Sequence, residues 1–142
     1  MKKRKHANIF ELLTPKAMTF YLLDDMTVRQ AMEKFDAHKF SVVPVLSQEG
    51  DYLTTISEGD ILRFIKNECD FDMAKANSKP IMEIEHYRPY SAVKAAAGFE
   101  DLFALAISQN FVPVLDDRGK FIGIIKRKDI FLFLKKFSSF SD

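Results

Sequence analysis

Only one of the 142 residues is a cysteine, Cys69, and there is no tryptophan. A single thiol excludes an intramolecular disulfide, and three scattered histidines, His6, His38 and His86, give it no metal-ligand spacing. A reducing, cytoplasmic setting is the expectation. The five glycines form no Walker-type loop, and no Ser-His-Asp or Cys-His arrangement is suggested, so catalysis finds little support. Excess charge is missing as well. With 21 basic against 20 acidic residues there is no global field to recruit nucleic acid or a membrane, so any anion site must be local. No apolar run approaches the roughly 18 residues a membrane span requires. The start, Met1-Lys2-Lys3-Arg4-Lys5-His6, has the charge of a signal-peptide n-region, but Glu11 and Thr14-Pro15-Lys16 interrupt the apolar stretch that should follow. Residues 1–13 are read as a basic tail and lead-in.

What is present is an internal repeat. Val43-Pro44-Val45-Leu46, a turn at Gly50 and an apolar stretch to Ile61 return 69 residues later as Val112-Pro113-Val114-Leu115, a turn at Gly119 and a stretch to Ile130. Over positions 43–66 the copies align without a gap, and ten of these 24 positions are identical. An apolar content of 47% is enough for a real core. Halves of roughly 60–70 residues would each be marginal alone, so they are expected to pack together.

In chain order, Thr19-Phe20-Tyr21-Leu22-Leu23 reads as a short strand. Thr27 caps a helix that carries Val28, Ala31, Met32 and Phe35 on one face and runs to about Ala37. Residues 41–46 form an apolar strand, and Pro44 within it predicts an edge position or an interruption. A hairpin at Gly50, a returning strand and an amphipathic helix over 58–67 complete the first copy, 14–67. Residues 68–80 show no periodicity and are read as a linker. The second copy, 81–137, begins with Ile81-Met82-Glu83-Ile84. Its first helix is expected from Phe99, because Gly98 stands where Thr27 stands in copy one. Residues 138–142 are a tail.

Each copy thus reads strand, helix, strand, strand, helix, with Pro-Val in the middle strand and a polar residue three before an aspartate that opens the last helix. This pattern resembles the cystathionine-β-synthase (CBS) domain, and two in tandem resemble a Bateman module of the small stand-alone bacterial type. The resemblance implies an α+β (mixed α/β) fold of two β-α-β-β-α repeats packed about a pseudo-twofold axis, with two clefts between them. It implies a regulatory adenine-nucleotide sensor, with AMP, ADP, ATP, S-adenosylmethionine or a cyclic dinucleotide as ligand. A homodimer and an unidentified regulated protein partner are implied too. The alternative is a dimerisation or scaffold module with no physiological ligand.

Carried onto this chain, the resemblance implies ribose contacts from Ser57 and Asp60 in the first copy and Asp129 in the second. A carboxylate accepts charge-assisted bonds from ribose hydroxyls. Ser57 and Asp60 also read as a capping box, an equally good structural account. The second copy departs from the pattern: Lys126, Arg127 and Lys128 place three cations at a helix start, against the dipole and without compensation visible in the sequence. A phosphate there would repair the mismatch, so these three are the candidate phosphate contacts. Candidate adenine walls are Phe40, Ser41, Val42, Val43 and Pro44, with the segment from Gln109 through Asn110, Phe111 and Val112 to Pro113 at the matching place in the repeat. Each proline lacks an N–H and so frees neighbouring backbone groups for a base edge. Tyr87, Arg88 and Tyr90 are further candidates to close a cleft.

Overall fold

Polar caps and β-branched runs place the elements in the same order in both copies. The structure, a computed structural model, describes residues 8–38, 40–85 and 90–140, with 137–140 described by backbone alone. A short 3-10 turn, Ile9–Leu12, leads to β1 (Thr14–Pro15), a second turn and then β2 (Leu22–Leu23). Only the last two residues of the expected 19–23 strand are extended with a partner, because the turn Lys16–Met18 draws the Thr19 N–H onto Lys16 O. Thr27 caps α1 (Val28–His38) reciprocally: its Oγ1 accepts from the Gln30 N–H, and its own N–H donates to Gln30 Oε1. Strands β3 (Val42–Leu46) and β4 (Tyr52–Ser57) follow, then α2 (Glu58–Glu68).

The stretch expected to be a bare linker contains α3 (Met73–Asn77), capped by the Asp72 carboxylate on the Ala74 N–H. One buried residue, Ala76, is all that such a short helix sends inward, too little to leave a periodicity. A 3-10 turn over Ile81–Glu83 precedes β5 (Val93–Lys94), α4 (Phe99–Ala106), β6 (Phe111–Leu115), β7 (Phe121–Lys126) and α5 (Arg127–Phe140). As expected, α4 starts just after Gly98, whose N–H donates to the Asp101 carboxylate.

One compact unit runs from Phe20 to Pro89, and the other joins the chain through Thr19 to Tyr90 onward. The first has a sheet in the order β2-β3-β4 and the second a sheet in the order β1-β7-β6-β5. Each unit therefore borrows the lead-in that precedes the other copy. Ile81 and Ile84 are buried with Val28, Val43 and Ile56, whereas Ile9 is buried with Leu102, Val112 and Ile125. Lead-in β1 pairs antiparallel with β7, Thr14 opposite Ile124 and Pro15 opposite Gly123. At Gly123 a Cβ would lie 2.2 Å from the Thr14 carbonyl oxygen, so the pairing requires glycine there.

Of the two alternatives expected at Pro44, the edge is not found: β3 lies between β2 and β4, and β6 between β5 and β7, while the register shifts just beyond each proline, between Val45 and Leu46 and between Val114 and Leu115. The Glu58 N–H donates to Ser41 O, and the Arg127 N–H to Asn110 O. That parity turns the Pro44 and Pro113 nitrogens away from β4 and β7, while the flanking two-residue strands pair only beyond them. The missing N–H thus costs no ladder bond.

The hairpins match in shape, with Gly50 at φ 93° and Gly119 at φ 85°. They differ in chemistry. Ser47 Oγ accepts the Asp51 N–H in the first, and the Asp116 carboxylate accepts the Lys120 and Arg118 N–H groups in the second. The bond from Lys120, then that from Arg118, holds the Asp116 carboxyl below its ordinary range against the opposing effect of desolvation. Among the described residues no helix is long and apolar enough to cross a membrane.

Candidate functional site

The two β-to-α corners carry the residues singled out above, and they are built differently. In the first, Ser57 Oγ accepts the Asp60 N–H at 3.0 Å, and Asp60 Oδ2 accepts the Ser57 N–H at 2.9 Å. The capping box is complete. Arg63 Nη2 donates to Asp60 Oδ1 at 2.6 Å, leaving the Asp60 side chain 13% exposed. Both carboxylate oxygens are engaged. A cavity of about 370 Å³ opens beside them, lined by Asp60, Arg63, Asn67, Lys79, Glu83 and Glu85 among others.

At the second corner Lys126 ends β7 and Lys128 lies in the first turn of α5, both exposed, while Asp129 is half-buried. Asp129 forms no hydrogen bond or ion pair among the described residues, and neither lysine side chain does. Arg127 is different. Its Nε–H is shared between Ala106 O at 2.8 Å, the carbonyl of the last residue of α4, and Gln109 O at 3.0 Å, three residues beyond it. A cation on those carbonyls suits the negative end of the α4 dipole. The expectation of an uncompensated cationic triplet is therefore corrected for Arg127: its compensation comes from backbone oxygens of another helix.

Gln109, which opens the second candidate adenine segment, organises the same corner. It is 6% exposed; its Oε1 accepts the Ser91 N–H at 2.8 Å, and its Nε2 donates to Ser91 O and Phe111 O at 3.1 Å each. The Tyr90 hydroxyl oxygen accepts the Asn110 N–H, and its ring packs edge-on against Phe111, centroids 4.9 Å apart. A signal for this existed. Gln109 stands at the repeat position of Phe40, and Arg127 at that of Glu58, so an aromatic and an acid become an amide and a base together.

The structure divides the adenine candidates. Val43 and Val112 are buried in the two cores, Pro44 and Pro113 are buried beside them, and Val42 is half-buried, so their side chains line scaffold. Phe111 is buried against Tyr90. Phe40 is 47% exposed and stacks on Phe20 at 5.4 Å, with His38 on Phe20 at 4.5 Å. Ser41 and Asn110 are exposed, and each has its carbonyl tied to the helix that follows. Tyr87 and Arg88 lie outside the described residues.

Solved structures share this fold. A CbpB structure in complex with c-di-AMP matches with a TM-score of 0.83 at 23% identity, over 97% of this chain and 93% of that one. CbpB from Listeria monocytogenes, also in complex with c-di-AMP, matches at 0.82 and 16% identity over 94% and 98%. CBSX2 in complex with AMP matches at 0.71 and 22% over 92% and 98%. No curated protein matches the chain. The CBS domain model matches twice, over residues 11–67 and 86–136, which cover the repeat and both corners. With two matches spanning most of its length, this chain belongs to the CBS-domain family.

Proposed function

We propose that this protein is a regulatory module that binds an adenine nucleotide at the second corner and does no catalysis of its own. The observation that carries the reading is the half-buried Asp129 carboxylate, which has no partner among the described residues although its counterpart Asp60 has two. A carboxylate so placed accepts both hydroxyls of a ribose. Lys126 and Lys128 are free to meet phosphates beside the positive end of α5. The c-di-AMP and AMP bound by proteins of the same fold support this ligand class, which extends to ADP, ATP and S-adenosylmethionine. A cytoplasmic setting, a homodimer and a regulated protein partner complete the proposal. To act as a switch the protein must bind the ligand with different affinity in two conformations.

Thermal shift against AMP, ADP, ATP, S-adenosylmethionine and c-di-AMP tests the reading, since a ligand at a hundred times its Kd adds about 2.7 kcal/mol. A rise is expected with at least one, and Asp129→Asn should remove it. If no ligand at millimolar concentration moves the midpoint, the proposal fails. The closed Ser57-Asp60-Arg63 set favours a second, structural reading for the first corner alone. On that reading Asp60→Ala lowers stability by about 1 kcal/mol but leaves the ligand-induced shift intact.

A further inference from the structure

Arg127 follows directly on Lys126 and precedes Lys128, yet its geometry separates it from them. Its Nε–H is spent on Ala106 O and Gln109 O, and its backbone N–H on Asn110 O. Gln109 in turn grips Ser91 on both its N–H and its C=O and reaches Phe111 O. One continuous set of bonds therefore joins the start of α5, the end of α4, the first residue of β6 and the lead-in at Ser91. The first repeat has no such set: Glu58, at the position of Arg127, has no side-chain N–H to donate, and Phe40 replaces Gln109.

We infer that Arg127 is a positioning residue, which fixes Asp129 and its neighbouring lysines against the Asn110–Phe111 backbone without itself being a phosphate ligand. The inference rests on the nucleotide reading above and goes beyond it, since it divides the three cations into one that shapes the site and two that face a ligand. Charge alone does not fill this role. A planar guanidinium holds an Nε–H where two carbonyls converge; a lysine ammonium, round and strongly hydrated, does not reproduce that geometry.

Two variants, Arg127→Lys and Arg127→Met, separate the roles when adenosine, AMP and c-di-AMP are titrated calorimetrically. Loss of a charge-assisted bond that sets geometry is expected to weaken all three ligands by about tenfold, equally in both variants. The ratio of AMP to adenosine affinity then stays at the wild-type value. Recovery of AMP and c-di-AMP binding in Arg127→Lys, with loss confined to phosphorylated ligands in Arg127→Met, overturns the inference. Amide hydrogen exchange on the ligand-free variants is a second readout. Faster exchange is expected at Ser91, Ser108 and Gln109, with Val28 and Cys69 in the other unit unchanged; unaltered exchange at the first three overturns it. Should wild type bind none of the ligands, the nucleotide reading falls, and the exchange data alone decide whether Arg127 holds the corner together.

Discussion

At equivalent places the two repeats solve one problem with opposite chemistry. In the first, Phe20 and Phe40 stack face to face. In the second, the same positions hold Ser91 and Gln109, joined by two hydrogen bonds. An aromatic stack tolerates sliding, whereas an amide gripping a backbone N–H and C=O fixes distance and direction. The contrast continues one corner on, where Asp60 is fully engaged and Asp129 is open. The repeat with the polar clamp is the one whose aspartate has no partner among the described residues. A shared scaffold has kept one corner for itself and left the other available, with polar bonds behind it.

The comparison is broken most severely at Gly123, whose counterpart is Thr54. Gly123→Thr would drive a Cβ into the Thr14 carbonyl and detach β1, at a cost of about 3 kcal/mol or more. Thr54→Gly, in a strand that no lead-in covers among the described residues, should cost about 1 kcal/mol. Urea denaturation measures both, and equal costs would mean that β1 contributes nothing. A middle-sized effect separates the two clamps. Gln109→Leu leaves the Ser91 N–H and its carbonyl partners unpaired for about 1–3 kcal/mol, against about 1 kcal/mol or less for Phe40→Ala at a half-exposed stack. The reverse order would make the polar clamp ornamental.

The smallest effect lies in the hairpins. The folded protein holds the Asp116 carboxyl below its unfolded value of about 3.9, so its contribution is fully present above that pH. It is lost as pH falls through the lower folded value. Asp116→Ser, which copies the first hairpin's Ser47, should narrow the stability gap to wild type only below about pH 4. A gap that instead widens with acid would reverse the assigned sign.

The scaffold was legible because its demands are local and made twice. Val-Pro-Val, the hairpin glycine and the Thr27 cap each act within a few residues, so the strand, turn and helix order could be read directly. The edge alternative for Pro44 failed because β2 pairs with β3 only beyond the proline, a register that composition does not reveal. The Ser57–Asp60 cap could be read from its spacing, and the structure closes it. Arg127 was misread as uncompensated since its acceptors are backbone oxygens 18 and 21 residues away, and every residue has such an oxygen. Burial divided the adenine candidates on the same logic: alternation along β3 and β6 aims Val43 and Val112 inward whatever the exposed neighbours do.

The exchange of lead-ins also sets an order in time. The unit that begins at Phe20 draws on one unbroken stretch of chain, so during synthesis it can close as soon as Ile84 has emerged. The segment bearing Ile9 and Thr14 is made before that unit yet has no sheet to join until Ile124 appears. That earlier segment must wait through the whole of the other unit, and the repeat with the open corner is finished second of the two.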